Sequence, residues 1–161
     1  MSGAGAPEIV TVDGTGIRVT IVAGLWHEEI AEGLLAGAQR YLAGTGATVT
    51  VLRVSGSFEL PVVSRAALDG GADAVVALGV IIRGGTPHFE YVSDAATSGL
   101  NQVSILTRKP VGFGVLTVDN EKQALDRAGL ADSHEDKGAE AAEAALTTAL
   151  LLRALAVRIA G

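Results

Sequence analysis

AVVALGVIIRGGTPHFEY, residues 74–91, decides how this chain folds. Ala74 to Ile82 is an apolar run with no polar face, the pattern of a strand buried on both sides in a parallel sheet. It runs directly into Arg83, Gly84 and Gly85. Thr86 then offers an N-cap oxygen and Pro87 stands where a first helical residue belongs. A strand end, two glycines and a helix N-terminus together make a nest of free backbone N–H groups. The donors and the helix dipole both favour an anion, phosphate above all. His88 comes next, the side-chain type that exchanges protons near neutral pH without help. An anion cradle with a proton shuttle at its lip has the makings of a catalytic site.

Outward from this block, strands and helices alternate. Ile17 to Ala23 is rich in β-branched residues, and Trp26 to Leu42 carries apolar residues at helical spacing. Gly44 and Gly46 stop that helix before a second strand, Thr48 to Val54. A short helix from Phe58 to Leu68, with Pro61 in its first turn, ends at Gly70 and Gly71. After His88 a helix is expected to Asn101, then a fourth strand, Val111 to Val118, behind Pro110. Asn120 and Gln123 have capping-box spacing for a brief helix ending at Gly129, and an Ala- and Leu-rich helix spans Asp136 to Arg158. Four apolar strands separated by helices predict an α/β fold, a three-layer α/β/α sandwich on a parallel sheet. Right-handed crossovers give it flavodoxin-like strand order 2-1-3-4. Ligands of such sheets sit at the carboxyl ends of the strands, which gathers Gly24–Trp26, Ser55–Glu59, Arg83–His88 and Asp119–Asn120 on one rim.

The whole chain narrows the chemistry. With 161 residues it is read as a single domain, 17–161, behind an N-terminal segment, 1–16, that is loosely held or lies against a neighbour. There is no cysteine, and His27, His88 and His134 are not spaced as metal ligands, so no metal and no disulfide is expected. A net charge of −6 with scattered basic residues argues against nucleic acid. No apolar run is long enough for a membrane span, and nothing at the N-terminus reads as a signal, so a soluble cytoplasmic protein is expected. Apolar residues make up 48% and charged ones 19%, against about 25% charged in ordinary domains. Extensive subunit contacts account for that, as does an Ala- and Gly-rich composition bias.

Several rim residues have two readings each. Trp26 either packs at a helix start or offers a plate on which a flat heterocycle stacks. Ser57 and Glu59, flanking Phe58, either serve a helix N-terminus or accept hydrogen bonds from ligand hydroxyls. Arg127, in the last turn before Gly129, either complements a helix dipole or reaches a ligand. Lys137 opens a helix, where a cation is mildly unfavourable, which gives it more claim to a ligand. His27 and His134 read as surface or packing residues, and Asp132, Glu135 and Asp136 as a solvated turn.

Taken together, five stretches of this chain resemble the lumazine synthase family. They are Gly56-Ser57-Phe58-Glu59-Leu60-Pro61, Gly79 to Val92, Gly114-Val115-Leu116-Thr117, Gln123 to Gly129 and Lys137-Gly138-Ala139-Glu140-Ala141-Ala142. The resemblance implies a cofactor-independent transferase of riboflavin biosynthesis. It would join 5-amino-6-(D-ribitylamino)uracil to 3,4-dihydroxy-2-butanone 4-phosphate, giving 6,7-dimethyl-8-ribityllumazine, phosphate and water. By the same resemblance Trp26 stacks on the uracil ring, Ser57, Phe58 and Glu59 hold the ribityl chain, and the backbone of Val80, Ile81 and Ile82 reads the ring's polar edge. Gly85 and Thr86 fall on the phosphate turn, with Lys137 also assigned to the phosphate, and His88 takes the acid–base position. Phe113 and Arg127 match residues supplied by the adjacent subunit of a homopentamer, Arg127 reaching the phosphate. Gly85 stands where many relatives carry a side chain, and Trp26 where phenylalanine is commoner. The loop from Leu130 to Asp136 is longer than shell-forming members need, so a free pentamer is expected rather than a sixty-subunit shell. An archaeal-type riboflavin synthase and a non-catalytic flavin-binding scaffold are the alternatives on the same fold.

Overall fold

The computed structural model describes residues 4–161; the part of the N-terminal segment at 1–3 lies outside the described residues. Strand β3 (Ala74–Ile82) is buried from Ala74 through Ile81, as an apolar run without a polar face requires. On one side it pairs with β1 (Arg18–Gly24), and on the other with β4 (Val111–Val118). The second strand, β2 (Thr48–Val54), flanks β1, so the order is 2-1-3-4 and every pairing is parallel. Register sets Ile21 beside both Val51 and Val76, and Val80 beside Leu116.

Two apolar layers sandwich this sheet. One contains Ile21, Leu34, Leu78 and Leu146 under helices α1 (Glu28–Ala43) and α5 (Lys137–Ala160). The other contains Val22, Leu60, Ala77, Leu100 and Val115 under α2 (Leu60–Asp69) and α3 (His88–Thr107). A short α4 (Glu121–Leu125) lies between β4 and α5. Leu34, Leu60 and Leu146 are fully buried, so truncation of any one to alanine costs about 2–5 kcal/mol. Helices α1 and α5 cross closely because Gly138 has no side chain: a Cβ there would stand 2.8 Å from the Leu34 carbonyl carbon.

The edges differ from the centre. β2 is exposed over most of its length, with Val49 and Leu52 both open to solvent. At the other edge Phe113 projects from β4 with 46% of its surface exposed. Before β1, the Val10 N–H donates to Glu143 Oε1 at 2.8 Å and its carbonyl accepts from Tyr41 Oη at 2.8 Å. Gly14 N–H donates to the Thr45 carbonyl at 2.7 Å. Burial, and then Glu143, hold the Tyr41 phenol above its usual range.

Several element boundaries depart from the sequence reading. α1 starts at Glu28, because His27 takes a left-handed conformation (φ 58°) and leaves Trp26 in the loop. α3 continues six residues beyond Asn101, to Thr107, burying Val103; it stops where Arg108 turns left-handed (φ 57°). Thr86 does not cap α3: Pro87 takes the N-cap position and the Glu90 N–H donates to its carbonyl at 3.1 Å. α4 is a single turn and a half, ending at Leu125 rather than near Gly129, although Asn120 Oδ1 does accept from the Gln123 N–H at 3.0 Å.

The loop before α5 is not a solvated turn. Asp136 caps α5 by accepting from the Ala139 N–H at 2.9 Å, and it pairs with Arg40 at 2.9 Å. Glu135 is folded inward onto Lys137 at 2.6 Å. Asp132 alone fits the expectation, standing exposed.

Candidate active site at the carboxyl edge of the sheet

Parallel strands end together, so the segments after β1, β2 and β3 meet on one rim. Three peptides converge there. Gly24 leads through Leu25 to Trp26 and His27; Ser55 and Gly56 lead into a single 3₁₀ turn, Ser57–Glu59; and β3 delivers Val80, Ile81 and Ile82 to the Gly84–Pro87 turn. They enclose a cavity of about 610 Å³, within the size range of small-molecule sites. Its wall carries Trp26, Ser57, Phe58, Glu59, Val80, Ile81, Ile82, Thr86 and His88, nine of the residues singled out in the sequence. Trp26 and Phe58 are two-thirds exposed, so large apolar faces stand open on this rim.

Each wall has a local cause. Glu59 turns back so that its Oε2 accepts from the Gly56 N–H at 2.9 Å, which fixes the carboxylate at the start of the 3₁₀ turn. Ser57 is buried against Gly79, where a Cβ would strike its side chain, so glycine at 79 is required by close approach. The turn after β3 begins with the Arg83 N–H donating to the Val118 carbonyl at 2.9 Å. Among the described residues, none accepts from the N–H groups of Gly84, Gly85 or Thr86. That is the condition of an anion-binding nest. Gly84 and Thr86 line the cavity, whereas Gly85 between them does not; a Cβ at Gly84 or Gly85 would meet nothing within 4 Å, so the turn is open.

His88 opens α3 on the cavity wall, followed by Phe89, Tyr91 and Val92, which line it too. Phe89 is backed by Arg83, whose guanidinium carbon stands 4.2 Å from the ring centroid. The same guanidinium donates to Glu90 and, at 3.0 Å, to Asp119 Oδ1. Its own backbone N–H and then Arg83 hold the Glu90 carboxyl below its usual range.

Three expected site residues stand elsewhere on the protomer. Arg127 lines a second cavity, of about 870 Å³, together with Asn120, Lys122, Gln123 and the 130–134 loop. Its guanidinium donates to the Gln123 carbonyl at 2.9 Å. Phe113 lies on the outer edge of β4 and lines neither cavity. Lys137 is nearly buried between Glu135 at 2.6 Å and Glu140 at 2.8 Å. Burial pulls its amine down, but the two carboxylates outweigh that and leave it above its usual value. The 126–137 segment around Arg127 is tightly tied. Glu135 N–H donates to the Asp126 carbonyl and Lys137 N–H to the Arg127 carbonyl, both at 3.0 Å, and the His134 ring pairs with the Asp126 carboxylate.

Sequence reasoning missed His27, which lines the cavity beside Trp26. Its place depends on a left-handed backbone conformation for which a histidine gives little signal. It also missed Phe89, Tyr91 and Val92, although their position in the first turn after the glycines is visible in the sequence. Among the described residues no three His, Asp or Glu side chains come together as metal ligands.

Comparison with known proteins agrees with this geometry. The profile of 6,7-dimethyl-8-ribityllumazine synthase matches residues 16–153. Proteins of that name from Clavibacter sepedonicus and Leifsonia xyli subsp. xyli are 76% and 71% identical, each alignment covering 96% of this chain and 98% and 99% of the relative. The one from Mycobacterium avium is 57% identical, over 96% of this chain and 97% of its own. With the rim cavity, the strand order and near-full-length identity in agreement, this chain belongs to the 6,7-dimethyl-8-ribityllumazine synthase family.

Proposed function

We propose that this chain condenses 5-amino-6-(D-ribitylamino)uracil with 3,4-dihydroxy-2-butanone 4-phosphate, in a site shared between neighbouring protomers of a homopentamer. The observation that carries it is the single cavity joining Trp26, Ser57–Glu59, the end of β3, the open glycine turn and His88. Trp26 stacks on the pyrimidine. The Ser57–Glu59 turn takes the ribityl hydroxyls, and the backbone of Val80, Ile81 and Ile82 reads the edge of the ring. The N–H groups of Gly84, Gly85 and Thr86, which have no protein acceptor among the described residues, take the phosphate, because free donors beside a helix N-terminus favour an anion.

The chemistry needs proton transfers more than strong polarisation. The 5-amino nitrogen attacks the ketone carbon, and the carbinolamine loses water to give an imine. Loss of a proton from carbon expels inorganic phosphate, and the enol tautomerises. The ribitylamino nitrogen then closes onto the new carbonyl with loss of a second water. His88 relays these protons, worth about 10²- to 10⁴-fold. Holding two substrates in register supplies the larger share.

Arg127 and Phe113 face away from the cavity of their own protomer, which supports a site completed by a neighbour. The exposed β2 edge and the apolar surface at Leu151, Leu155 and Ile159 support extensive contacts between copies. Lys137, held by two carboxylates, stabilises the loop that presents Arg127, and its contact with phosphate would require Glu135 or Glu140 to let go. No helix among the described residues is long and apolar enough to cross a membrane, and we place the enzyme in the cytoplasm. Incubation with both substrates tests the reading: fluorescent lumazine and equimolar phosphate are expected, and release of neither would overturn it.

A further inference from the structure

The N-terminus of α3 carries His88 yet lacks a side-chain cap, and the glycine turn before it makes no hydrogen bonds of its own beyond its ends. Phe89 and Val92 pack the start of α3 against the core. Arg83 adds an ion pair and a stacked contact to the same turn. Its planar fork donates to Glu90, two residues beyond His88, and lies over the ring of Phe89, one residue beyond. Its other arm reaches Asp119 at 3.0 Å, past the end of β4, and its backbone N–H is tied to Val118 at 2.9 Å. Arg83 itself stays out of the cavity wall, behind Phe89.

From Asp119 the connection goes on. The Asp119 N–H donates to Gln123 Oε1 at 2.8 Å, and the Gln123 carbonyl accepts from the Arg127 guanidinium at 2.9 Å. A continuous run of polar contacts therefore joins the turn bearing His88 to the segment after α4 that bears Arg127. A lysine could make one of the two ionic contacts but not the stacked fork.

We infer that Arg83 is a positioning residue for the condensation, acting through the first turn of α3 to set His88 against the substrates. The inference rests on the function proposed above. An Arg83 that merely stabilised the fold would lower the amount of active enzyme, not the behaviour of each site. A positioning Arg83 changes kcat through His88, so its loss has nothing left to remove once His88 is gone.

The experiment is a double-mutant cycle on the assembled enzyme, with active sites counted by binding of the ribitylaminouracil substrate. Arg83→Met keeps the apolar stem and removes the fork; its kcat per site should fall about 10- to 100-fold, the scale of a misplaced catalytic group. KM for ribitylaminouracil should move less than about twofold, because Trp26 and the 57–59 turn lie on other segments. In the His88→Ala background the same substitution should change kcat less than about twofold. Arg83→Lys should fall between wild type and Arg83→Met. Equal losses in both backgrounds, or an unchanged kcat in Arg83→Met, would overturn the inference. If Arg83→Met does not assemble, Glu90→Gln runs in the same cycle with the same expectations and the same refutation. Wild-type enzyme that makes no lumazine would instead sink the proposed function, so the two failures are distinguishable.

Discussion

His88 and Gly85 sit three residues apart and, in the proposed reaction, do opposite kinds of work. His88 offers a proton-exchanging ring at the cavity wall, whereas Gly85 offers only backbone. His88→Ala should lower kcat by about 10²-fold and leave activity measurable above the uncatalysed rate, because juxtaposition of substrates survives. Steady-state lumazine fluorescence at saturating substrate checks this; complete loss with substrate binding intact would refute the division of labour. At Gly85 a Cβ meets nothing within 4 Å and the backbone avoids the left-handed region, so alanine fits. Gly85→Ala should keep kcat within about twofold and stabilise the chain by about 0.4–1 kcal/mol through the unfolded state. Denaturant unfolding reads the second quantity, and a loss of stability would show that the turn needs glycine. His88 and the glycines were legible in the sequence because local chemistry sets them. His27 was not, since its place rests on a left-handed backbone for which a histidine gives little signal. The Arg83 fork was not legible either: Asp119 lies 36 residues away and only strand pairing brings it close.

Elements built on local pattern agree closely with the sequence, and those set by distant partners do not. β2, β3 and β4 begin and end where the apolar runs do. The segment between α4 and α5 instead takes its shape from contacts such as Arg40 with Asp136, 96 residues apart, so composition alone read it as a solvated turn. Its most exposed tie is the His134 ring on the Asp126 carboxylate, which raises the histidine above its usual 6.5 and lowers the carboxyl below its usual 3.8. A raised histidine stabilises fully below its unfolded value and loses that contribution as pH rises through its folded value. A depressed carboxyl acts the other way: its contribution is present above its unfolded value and lost as pH falls through its folded one. The tie is therefore strongest from roughly pH 4 to pH 6.5 and is lost as pH rises through the raised value of the histidine. Hydrogen exchange of residues 130–137, corrected for intrinsic rate, should be slower in wild type than in His134→Asn at pH 6, and the two should converge as pH rises past the raised value of the histidine. A difference that is constant with pH would show that His134 holds the loop by packing rather than by charge.

For the whole molecule, the informative fact is that the proposed site is split. His88 faces a cavity at the ends of β1 to β3, while Arg127 faces a different one on the same protomer. In the proposed ring each interface would pair one face with the other, so every site would take His88 from one copy and Arg127 from the next. The pentameric ring of 16.3 kDa chains would weigh roughly 80 kDa, against roughly 1 MDa for sixty subunits, a difference sedimentation resolves at once. Ring geometry also makes a stronger prediction than mass. Co-expressed His88→Ala and Arg127→Ala chains, each feeble alone, form rings in which some interfaces combine an intact His88 with an intact Arg127. With random mixing at equal amounts, roughly a quarter of the interfaces are fully restored, so specific activity should rise to roughly a quarter of wild type. Complementation of that size requires a site between copies, since a site within one protomer would leave the mixture at the mean of its parents. An activity held at that mean, in rings shown by mass to contain both chains, would show that His88 and Arg127 serve a site within one protomer and would overturn the shared site.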